Sequence, residues 1–252
     1  MKIEQIKVEY IDHMGSDLKV VNCARASFDK TSSLGEDGKL KQADVNLINF
    51  LARGCTTQEW DELIDEAMAA EHADGVAEIL RQYKASAVHF APFCHCSVTL
   101  RLTIPVFVAR QLVKHQIGMT WSEVSRRYVS DEPSFWFPVV WHTRPENVKQ
   151  GSGEMASNQP GLDKLAYLAT TQNLHVYKEL LRSGVAPEEA RIVLPLNHMT
   201  TVVWTGTLLA WTRVCNQRLD PHAQGATQEA ANGIQEIVKP LFPVSWEALV
   251  AY

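Results

Sequence analysis

The chain has 252 residues, of which 46% are hydrophobic and 21% are charged, and its formal net charge is −5 at pH 7. This composition is that of a globular protein and excludes wholesale disorder, and a chain of this length can bury a substantial core. The negative charge excludes a general attraction to nucleic acid, so any phosphate recognition must be local. No apolar run is long enough to span a bilayer.

The five cysteines are unevenly spaced, and the chain is too long to depend on disulfides for its stability. This pattern favours reduced thiols and a cytoplasmic location. The N-terminal run from Met1 to Gly15 alternates like a strand and lacks the apolar segment of a secretory signal.

The first 54 residues predict a strand, an element that leads into a loop, and a helix. Lys2–Tyr10 alternates apolar and polar residues as a half-buried strand does. Val20–Phe28 leads into a turn-rich loop, so Ser27 lies where an element ends and a binding hydroxyl is common. Leu40–Arg53 has helical spacing and stops at Gly54, a residue that often ends helices.

The next segment, Thr57–Lys84, is acidic and rich in alanine, and its spacing predicts two short amphipathic helices with Thr57 as a cap. We interpret it as a structural insertion. Ser97–Ile104 then alternates as a strand, and Pro105 suits the first turn of the helix that follows.

The second half of the chain mixes helices and strands without a regular βαβ alternation, which favours the α+β class. A single domain is predicted over residues 1–252, with the helical insertion at about 57–84 and a flexible loop at about 143–160. The predicted elements are an extended Ser134–Pro138, helices at Leu162–Arg182 (ended by Gly184), Pro187–Arg191, Leu208–Arg218 and Asp220–Val238, and a buried strand at Met199–Thr205.

A polar and cationic segment, Arg110–Tyr128, stands beside apolar residues and predicts a phosphate site. Arginine matches phosphate with a planar fork, and serine and backbone amides can complete the cage. The alternative is a solvated end of an amphipathic helix, which is the usual structure of a basic run. Arg191 and Arg218 lie at predicted helix ends, where an interaction with the helix dipole is the simplest explanation.

A cluster of His89, Cys94, His95 and Cys96 suggests a zinc site at first sight. Tetrahedral zinc is usually held by two spaced pairs of ligands, and adjacent residues in an extended chain point to opposite sides. We therefore predict no metal. Cys94 and Cys96 are interpreted as small core residues, and His89 as a loop residue near a ligand.

The sequence offers no clear nucleophile, because it contains no G-x-S-x-G and no recognisable Cys-His pair. It also lacks the glycine-rich loops of Rossmann and P-loop nucleotide sites. Ser125 has two interpretations, a phosphate ligand or an activated nucleophile, and the first is favoured because arginines flank it and no base is adjacent. His198 and His222 are interpreted as structural histidines.

The run KHQIGMTWSEVSRRY, Lys114 to Tyr128, resembles the motif R-H-R-x-x-S-x-N-E-x-S-x-R of the flavin-dependent thymidylate synthases, the ThyX family. One extra residue lies between His115 and Glu123, and Lys114 and Gln116 replace the two arginines of R-H-R. Further segments that look like those of the family occur in family order: ARASF (24–28), HFAPFCH (89–95), PVFVARQ (105–111), ARIVLPLN (190–197) and RLDPHAQ (218–224).

This resemblance implies a ThyX-like fold, in which a mixed or antiparallel sheet packs against long helices, and a homotetramer with shared active sites. It implies that dUMP is converted to dTMP with FAD as redox cofactor, NADPH as reductant and methylenetetrahydrofolate as one-carbon donor. No enzyme nucleophile is required. The partners would be these small molecules, with no nucleic acid and no membrane.

The resemblance also implies the roles of individual residues. The deoxynucleotide positions are Gln111, Glu123, Ser125, Arg126, Arg127, Arg191 and Arg218. The flavin positions are Ser27, His89, Lys114, His115, Gln116, Glu123, Thr207 and Arg213. Arg218 would polarise the pyrimidine, and Arg218 and Ser125 are the predicted catalytic residues.

The flavin positions depart from the family pattern. Besides the two arginines of R-H-R, Thr207 and Leu209 stand where the family has Asn and Arg, and Arg213 replaces an Asn. Each lost charged hydrogen bond would weaken binding by about 1.5–3 kcal/mol. These departures resemble those of phage-encoded relatives. They motivate an alternative, in which a homologue of this family transfers a hydroxymethyl group or acts on dCMP to make a modified base. A structural protein that binds nucleotides or nucleic acid is a third hypothesis.

Overall fold

The computed structural model describes residues 1–70, 72, 75–76, 89–145, 151–220 and 223–250. Its strands are β1 Lys2–Ile3, β2 Lys7–Met14, β3 Ser97–Pro105, β4 Met119–Glu123, β5 Ser134–Phe135 and β6 Met199–Thr207. Its helices are α1 Asp17–Arg25, α2 Gln42–Arg53, α3 Thr57–Ala69, α4 Val106–Leu112, α5 Gln159–Arg182, α6 Pro187–Ala190, α7 Leu208–Arg218, α8 Gly225–Leu241 and α9 Pro243–Leu249. Short 3₁₀ turns cover Ala26–Phe28, Ala91–His95 and Arg191–Val193.

The main sheet has four antiparallel strands in the order β2-β3-β6-β4. In β3 every second side chain, from Val98 to Ile104, is fully buried, because successive residues of a strand point to opposite faces. Trp204 of β6 and Trp211 of α7 are also fully buried, and their rings meet edge to face at 4.8 Å. The alternation that predicted β3 is thus the burial pattern of this strand, and β6, predicted from its β-branched and aromatic residues, shows the same alternation of burial.

The apolar faces of α4, α7 and α8 pack on this side of the sheet and form one large buried cluster with α1, α2 and α9. A smaller cluster surrounds Phe135, Leu174 and Tyr177. The α+β class with an antiparallel sheet is therefore confirmed, whereas the single domain over residues 1–252 stays a prediction. Within the described residues, no helix is long and apolar enough to cross a membrane.

Two buried carboxylates tie the helices together. Asp17, at the start of α1, accepts hydrogen bonds from the backbone amides of Val244 and Ser245 in the first turn of α9. Asp44 in α2 is 1% exposed and accepts from the guanidinium of Arg25, at 2.6 Å from Nη2. Each carboxylate satisfies donors that would otherwise be desolvated without a partner.

Several predicted boundaries were wrong. Thr56, and not Thr57, caps α3, because its hydroxyl accepts from the amide of Glu59 and the Glu59 carboxylate accepts from the amide of Thr56. β2 continues to Met14 past a bulge. α8 begins at Gly225, five residues later than predicted. Most of the second helix predicted within Thr57–Lys84 lies outside the described residues.

Candidate active site

The first cleft lies where β4 ends and has a volume of about 410 Å³. It contains three arginines, one serine and one carboxylate. Its lining residues are Val106, Glu123, Val124, Ser125, Arg126, Arg127, Arg191, His198 and Thr200. Five of the seven residues predicted for the deoxynucleotide therefore come together here: Glu123, Ser125, Arg126, Arg127 and Arg191.

Local hydrogen bonds shape this cleft around Ser125. Both the amide and Nε of Arg127 donate to Ser125 Oγ, at 3.3 and 3.1 Å. Arg126 donates to the carbonyl of Asp131, and Arg191 Nε donates to the carbonyl of Glu188 at 3.1 Å. The guanidinium groups are anchored at one edge, and such planar groups can bind an anion through the other.

Glu123 is the one carboxylate in the lining, and both of its oxygens are engaged. Oε1 accepts from Thr200 Oγ1 at 2.9 Å, and Oε2 accepts from Trp121 Nε1 at 3.2 Å. These neutral donors fix the plane of the carboxylate. Its remaining lone pairs can accept from a ligand hydroxyl, whereas it would repel a phosphate.

His198 is satisfied by the protein, as predicted, because its Nδ1 donates to the carbonyl of Pro195 at 2.7 Å. Burial lowers the pKa of His198, and the neighbouring Arg126 lowers it further. The imidazole therefore adds no positive charge to the cleft at neutral pH. His222 lies outside the described residues.

The second cleft has a volume of about 550 Å³ and contains the other two residues predicted for the deoxynucleotide, Gln111 and Arg218. Its remaining lining residues are Asn216, Gln217, Asp220, Ala223 and Gln224. Gln111 Nε2 donates to Gln224 Oε1 at 2.6 Å, and the buried Thr227 donates to Gln111 Oε1 at 2.8 Å. The side chain of Gln111 is thus held in one orientation.

Arg218 is the last residue of α7, and its Nε donates to Nε2 of His115 at 3.1 Å. Burial and the nearby guanidinium lower the pKa of His115 from its ordinary 6.5 to about 4. Burial also lowers the pKa of Arg218, which remains charged because guanidinium does not lose its proton in proteins. The site therefore pairs a neutral imidazole with a cationic guanidinium.

The two clefts share no lining residue among the described residues. Gln111 and Arg218 are therefore not brought into the same cleft as Ser125 and Arg127. A third, aromatic cleft of about 690 Å³ adjoins the second one through Ala223 and Gln224. Phe107, Trp136 and Trp141 contribute to its walls, which suit a planar ring system.

A tight turn joins the two clefts along the chain, since the amide of Met119 donates to the carbonyl of Gln116. Gly118 in this turn has φ +74, a left-handed conformation that favours glycine. β4 then pairs with β6, with Glu123 opposite Val202. The segment that carries the extra residue of the motif therefore consists of this turn and the strand that leads to Glu123.

Of the residues predicted for the flavin, Ser27, His89, Lys114, Gln116 and Arg213 are exposed, whereas His115 and Thr207 are partly buried and Glu123 lies in the first cleft. His89 stacks on Phe50 with ring centres 5.6 Å apart, and the Arg213 guanidinium lies over the ring of Phe90 at 6.0 Å. Lys114 and Gln116 are exposed beside the Gly118 turn, and Ser27 is exposed in the first 3₁₀ turn. Cations and aromatic faces are groups that can hold a dinucleotide.

Two of the substituted flavin positions have structural roles. Thr207 is the N-cap of α7, and its hydroxyl accepts from the amide of Ala210 at 3.2 Å. Leu209 is only 7% exposed and packs in the main core. The residues that could contact a flavin are thus Lys114, Arg213 and the exposed rings of His89 and Phe90. Leu209 could not, because it is buried.

The interpretation of Cys94 as a core residue was wrong, because its side chain is exposed whereas Cys96 is fully buried. The turn Ala91–His95 is helical and not extended, which explains the difference. Thr200, Thr227, Gln224 and Trp121 were missed as site residues. Of these residues, only Gln224 had a signal in the sequence, since it ends the RLDPHAQ segment. A buried helical threonine such as Thr227 has no such signal.

Comparison with known proteins gives consistent results. Residues 9–244 match the family model described as thymidylate synthase complementing protein. The flavin-dependent thymidylate synthase of Thermosipho africanus is 30% identical over 246 residues, 96% of this chain and 90% of the relative. That of Thermotoga neapolitana is 30% identical over 250 residues, 97% of this chain and 91% of the relative.

A solved structure has the same fold. The UMP/dUMP methylase PolB from Streptomyces cacaoi, bound with 5-Br dUMP, superimposes with a TM-score of 0.74. The match covers 100% of this chain and 98% of the other, at 24% sequence identity. The ThyX-like fold predicted from the sequence is therefore confirmed.

Proposed function

Because the chain belongs to the flavin-dependent thymidylate synthase family, we propose that it converts dUMP to dTMP by reductive methylation. Methylenetetrahydrofolate is the one-carbon donor, FAD the redox cofactor and NADPH the reductant. The observation that carries this proposal is the convergence of Arg126, Arg127, Arg191 and Ser125 in one cleft beside a single carboxylate. Such a cleft is built for a phosphate ester that also bears hydroxyl groups.

In this proposal the first cleft holds the 5′-phosphate and the sugar. The forks of Arg127 and Arg191 bind phosphate oxygens, and the Ser125 hydroxyl donates to a third oxygen. Glu123 accepts from a sugar hydroxyl. Ser125 acts as a ligand and not as a nucleophile, because its oxygen is bonded by Arg127 and, among the described contacts, by no histidine or carboxylate.

The second cleft holds the base. Arg218 donates to a pyrimidine carbonyl and stabilises the negative charge that develops when C5 of the uracil becomes nucleophilic. Gln111 donates beside it. A fixed cation in a partly desolvated cleft is more effective than the same cation in water, because no solvent has to reorganise during the reaction.

Bound FAD would supply the hydride and one-carbon transfer chemistry, so that no thiol is needed. Lys114 and Arg213 would neutralise its pyrophosphate, with Gln116 and Ser27 as further donors. His89 and the Phe90 surface would contact a ring of the cofactor. This set has fewer guanidinium groups than the family motif, so we expect weaker flavin binding.

We further propose a homotetramer with shared active sites. One nucleotide must reach both clefts, and the two clefts of one chain share no residue among those described. Apolar side chains near the clefts are highly exposed, including Ile117 at 83%, Ile192 at 80% and Tyr128 at 77%. Subunit contacts in such an assembly would cover exposed apolar side chains of this kind. A cytoplasmic location and an absence of nucleic-acid partners stay predictions.

The proposal is tested by incubating the purified protein with FAD, NADPH, methylenetetrahydrofolate and each nucleotide, followed by mass spectrometry of the products. We expect a flavin absorption spectrum and dTMP from dUMP. A hydroxymethyl product, or a product from dCMP, would replace the proposal with the alternative of base modification. Salt-dependent DNA binding with no turnover would overturn it in favour of a structural protein.

A further inference from the structure

We propose that His115 is a positioning residue that orients Arg218 toward the base, and that its contact with the flavin, implied by the family motif, is secondary. The inference rests on the proposed function only in taking the pyrimidine as the ligand of Arg218. The pairing itself is between residues 103 positions apart in the chain.

The hydrogen bond fixes the state of the imidazole. Guanidinium has donors and no acceptor, so the 3.1 Å contact from Arg218 Nε requires a lone pair on His115 Nε2. His115 must therefore be neutral, with its proton on Nδ1. A protonated imidazole would lose this bond and would place two cations in contact.

The surroundings maintain this state. His115 is half-buried, and burial together with the Arg218 charge holds its pKa at about 4, far below neutral pH. The imidazole is thus a neutral acceptor at and around neutral pH. It has only its Nδ1 proton left to offer to another ligand.

The consequence for Arg218 is a defined orientation. An arginine at a helix end has several rotatable bonds, and ordering them on binding costs conformational entropy. With Nε bonded to His115, the plane of the guanidinium is set before the nucleotide arrives. Among the contacts of the described residues, neither terminal nitrogen has a hydrogen bond, so both can bind the ligand. A hydrogen-bond acceptor at position 115 permits this preorganisation, whereas a second cation there would repel Arg218.

If His115 were removed, the guanidinium of Arg218 would lose the hydrogen bond that sets its plane. Loss of His115 should therefore resemble loss of Arg218.

The test is a double-mutant cycle on the holoprotein with His115→Ala, Arg218→Ala and the double variant. Flavin affinity is measured by titration with FAD, and dUMP affinity by calorimetry. We expect His115→Ala to weaken dUMP binding about tenfold, as for loss of one charged hydrogen bond, and to lower kcat. Flavin affinity should change less than about threefold, and His115→Ala should have little further effect once Arg218 is absent.

Two further variants sharpen the result. His115→Asn keeps an acceptor and should recover part of the dUMP affinity, which a merely structural role would not predict. Lys114→Ala, at the neighbouring exposed position, should lower the affinity for FAD and leave the affinity for dUMP unchanged. The inference is overturned if the effects of His115→Ala and Arg218→Ala on dUMP binding add in the double variant. It is also overturned if His115→Ala lowers the affinity for FAD while the affinity for dUMP is unchanged.

The pairing can also be observed without substrate. In protein labelled with ¹⁵N-histidine, the His115 resonances should report the Nδ1-protonated tautomer, and Arg218→Ala should shift them. An unshifted spectrum would refute the pairing. Failure of the proposed function would show differently, as absence of dUMP binding and of dTMP formation in the unmodified protein.

Discussion

Thr207 and Gly118 join the turn before β4 to the start of α7. The amide of Thr207 donates to the carbonyl of Gly118 at 2.9 Å, and a Cβ on Gly118 would lie 2.9 Å from Thr207 Oγ1. The same hydroxyl caps α7, which ends at Arg218. Thr207 therefore connects the turn before β4 to the first turn of the helix that carries Arg218.

Gly118→Ala should destabilise the protein by about 1–2 kcal/mol through the left-handed backbone alone, and by more through contact with Thr207. Gly38→Ala is a matched control, because Gly38 also has φ +74 but nothing lies within 4 Å of its Cβ position. Urea unfolding measures both variants. Equal losses of stability would contradict a role for the contact.

Removal of a phosphate ligand should be selective for nucleotides. We expect Arg127→Ala to weaken dUMP binding about 10- to 100-fold, by loss of charged hydrogen bonds, and to leave deoxyuridine binding nearly unchanged. Arg182→Ala removes the same charge from an exposed position on α5 and serves as the control. Calorimetry with both ligands checks this. Parallel losses for dUMP and deoxyuridine would place Arg127 away from the phosphate.

Arg218→Ala should reduce kcat by about 100- to 1000-fold, the usual effect of removing one group that stabilises developing negative charge. Arg218→Lys should recover little, because lysine lacks the planar fork. The fold should remain intact, with an unchanged unfolding midpoint apart from a small shift. Wild-type turnover in either variant would refute the assignment of Arg218 to the base.

The stability of the protein should fall with acidification in a range set by His115. Its pKa is about 4 when folded and 6.5 ordinarily, so the unfolded chain binds more protons between these values. The contribution of a neutral His115 is full above pH 6.5 and is lost as pH falls toward 4. Because the ring is half-exposed, we expect about 1–2 kcal/mol.

His115→Asn should flatten this part of the profile. The measurement is urea unfolding of both proteins at pH 7.5, 6 and 5, compared as a difference so that other titrating groups cancel. Identical pH dependence in the two proteins would contradict the assignment. His198 acts in the same direction, since burial lowers its pKa too, and remains as a background in both.

Local patterns predicted most of the elements. Alternation predicted β3, β-branched and aromatic content predicted β6, and helical spacing predicted α2, α5 and α7. These signals lie in neighbouring residues, so they can be read without the fold. The start of α8 could not be read in this way, because Asp220 and Pro221 are typical of a helix start, whereas the helix begins at Gly225.

The predicted site residues were located partly by the family motif and partly by charge, but their partners were not. Thr227 contacts Gln111 across 116 residues, and Thr200 contacts Glu123 across 77. Such pairs depend on how helices and strands pack, and a buried threonine resembles any other small residue in a sequence. The division of the predicted nucleotide residues between two clefts could not be predicted either, since it depends on how elements that are distant in the chain pack together.

That division has a consequence for mixed populations of subunits. A subunit with a defective first cleft still offers an intact second one, and the reverse holds for a subunit with a defective second cleft. If each nucleotide bridges two subunits, hybrids of Arg127→Ala and Arg218→Ala chains contain some sites with both defects and some with none. Two inactive alleles expressed in one cell would then complement each other, and a single defective allele would be only partly dominant over the normal one.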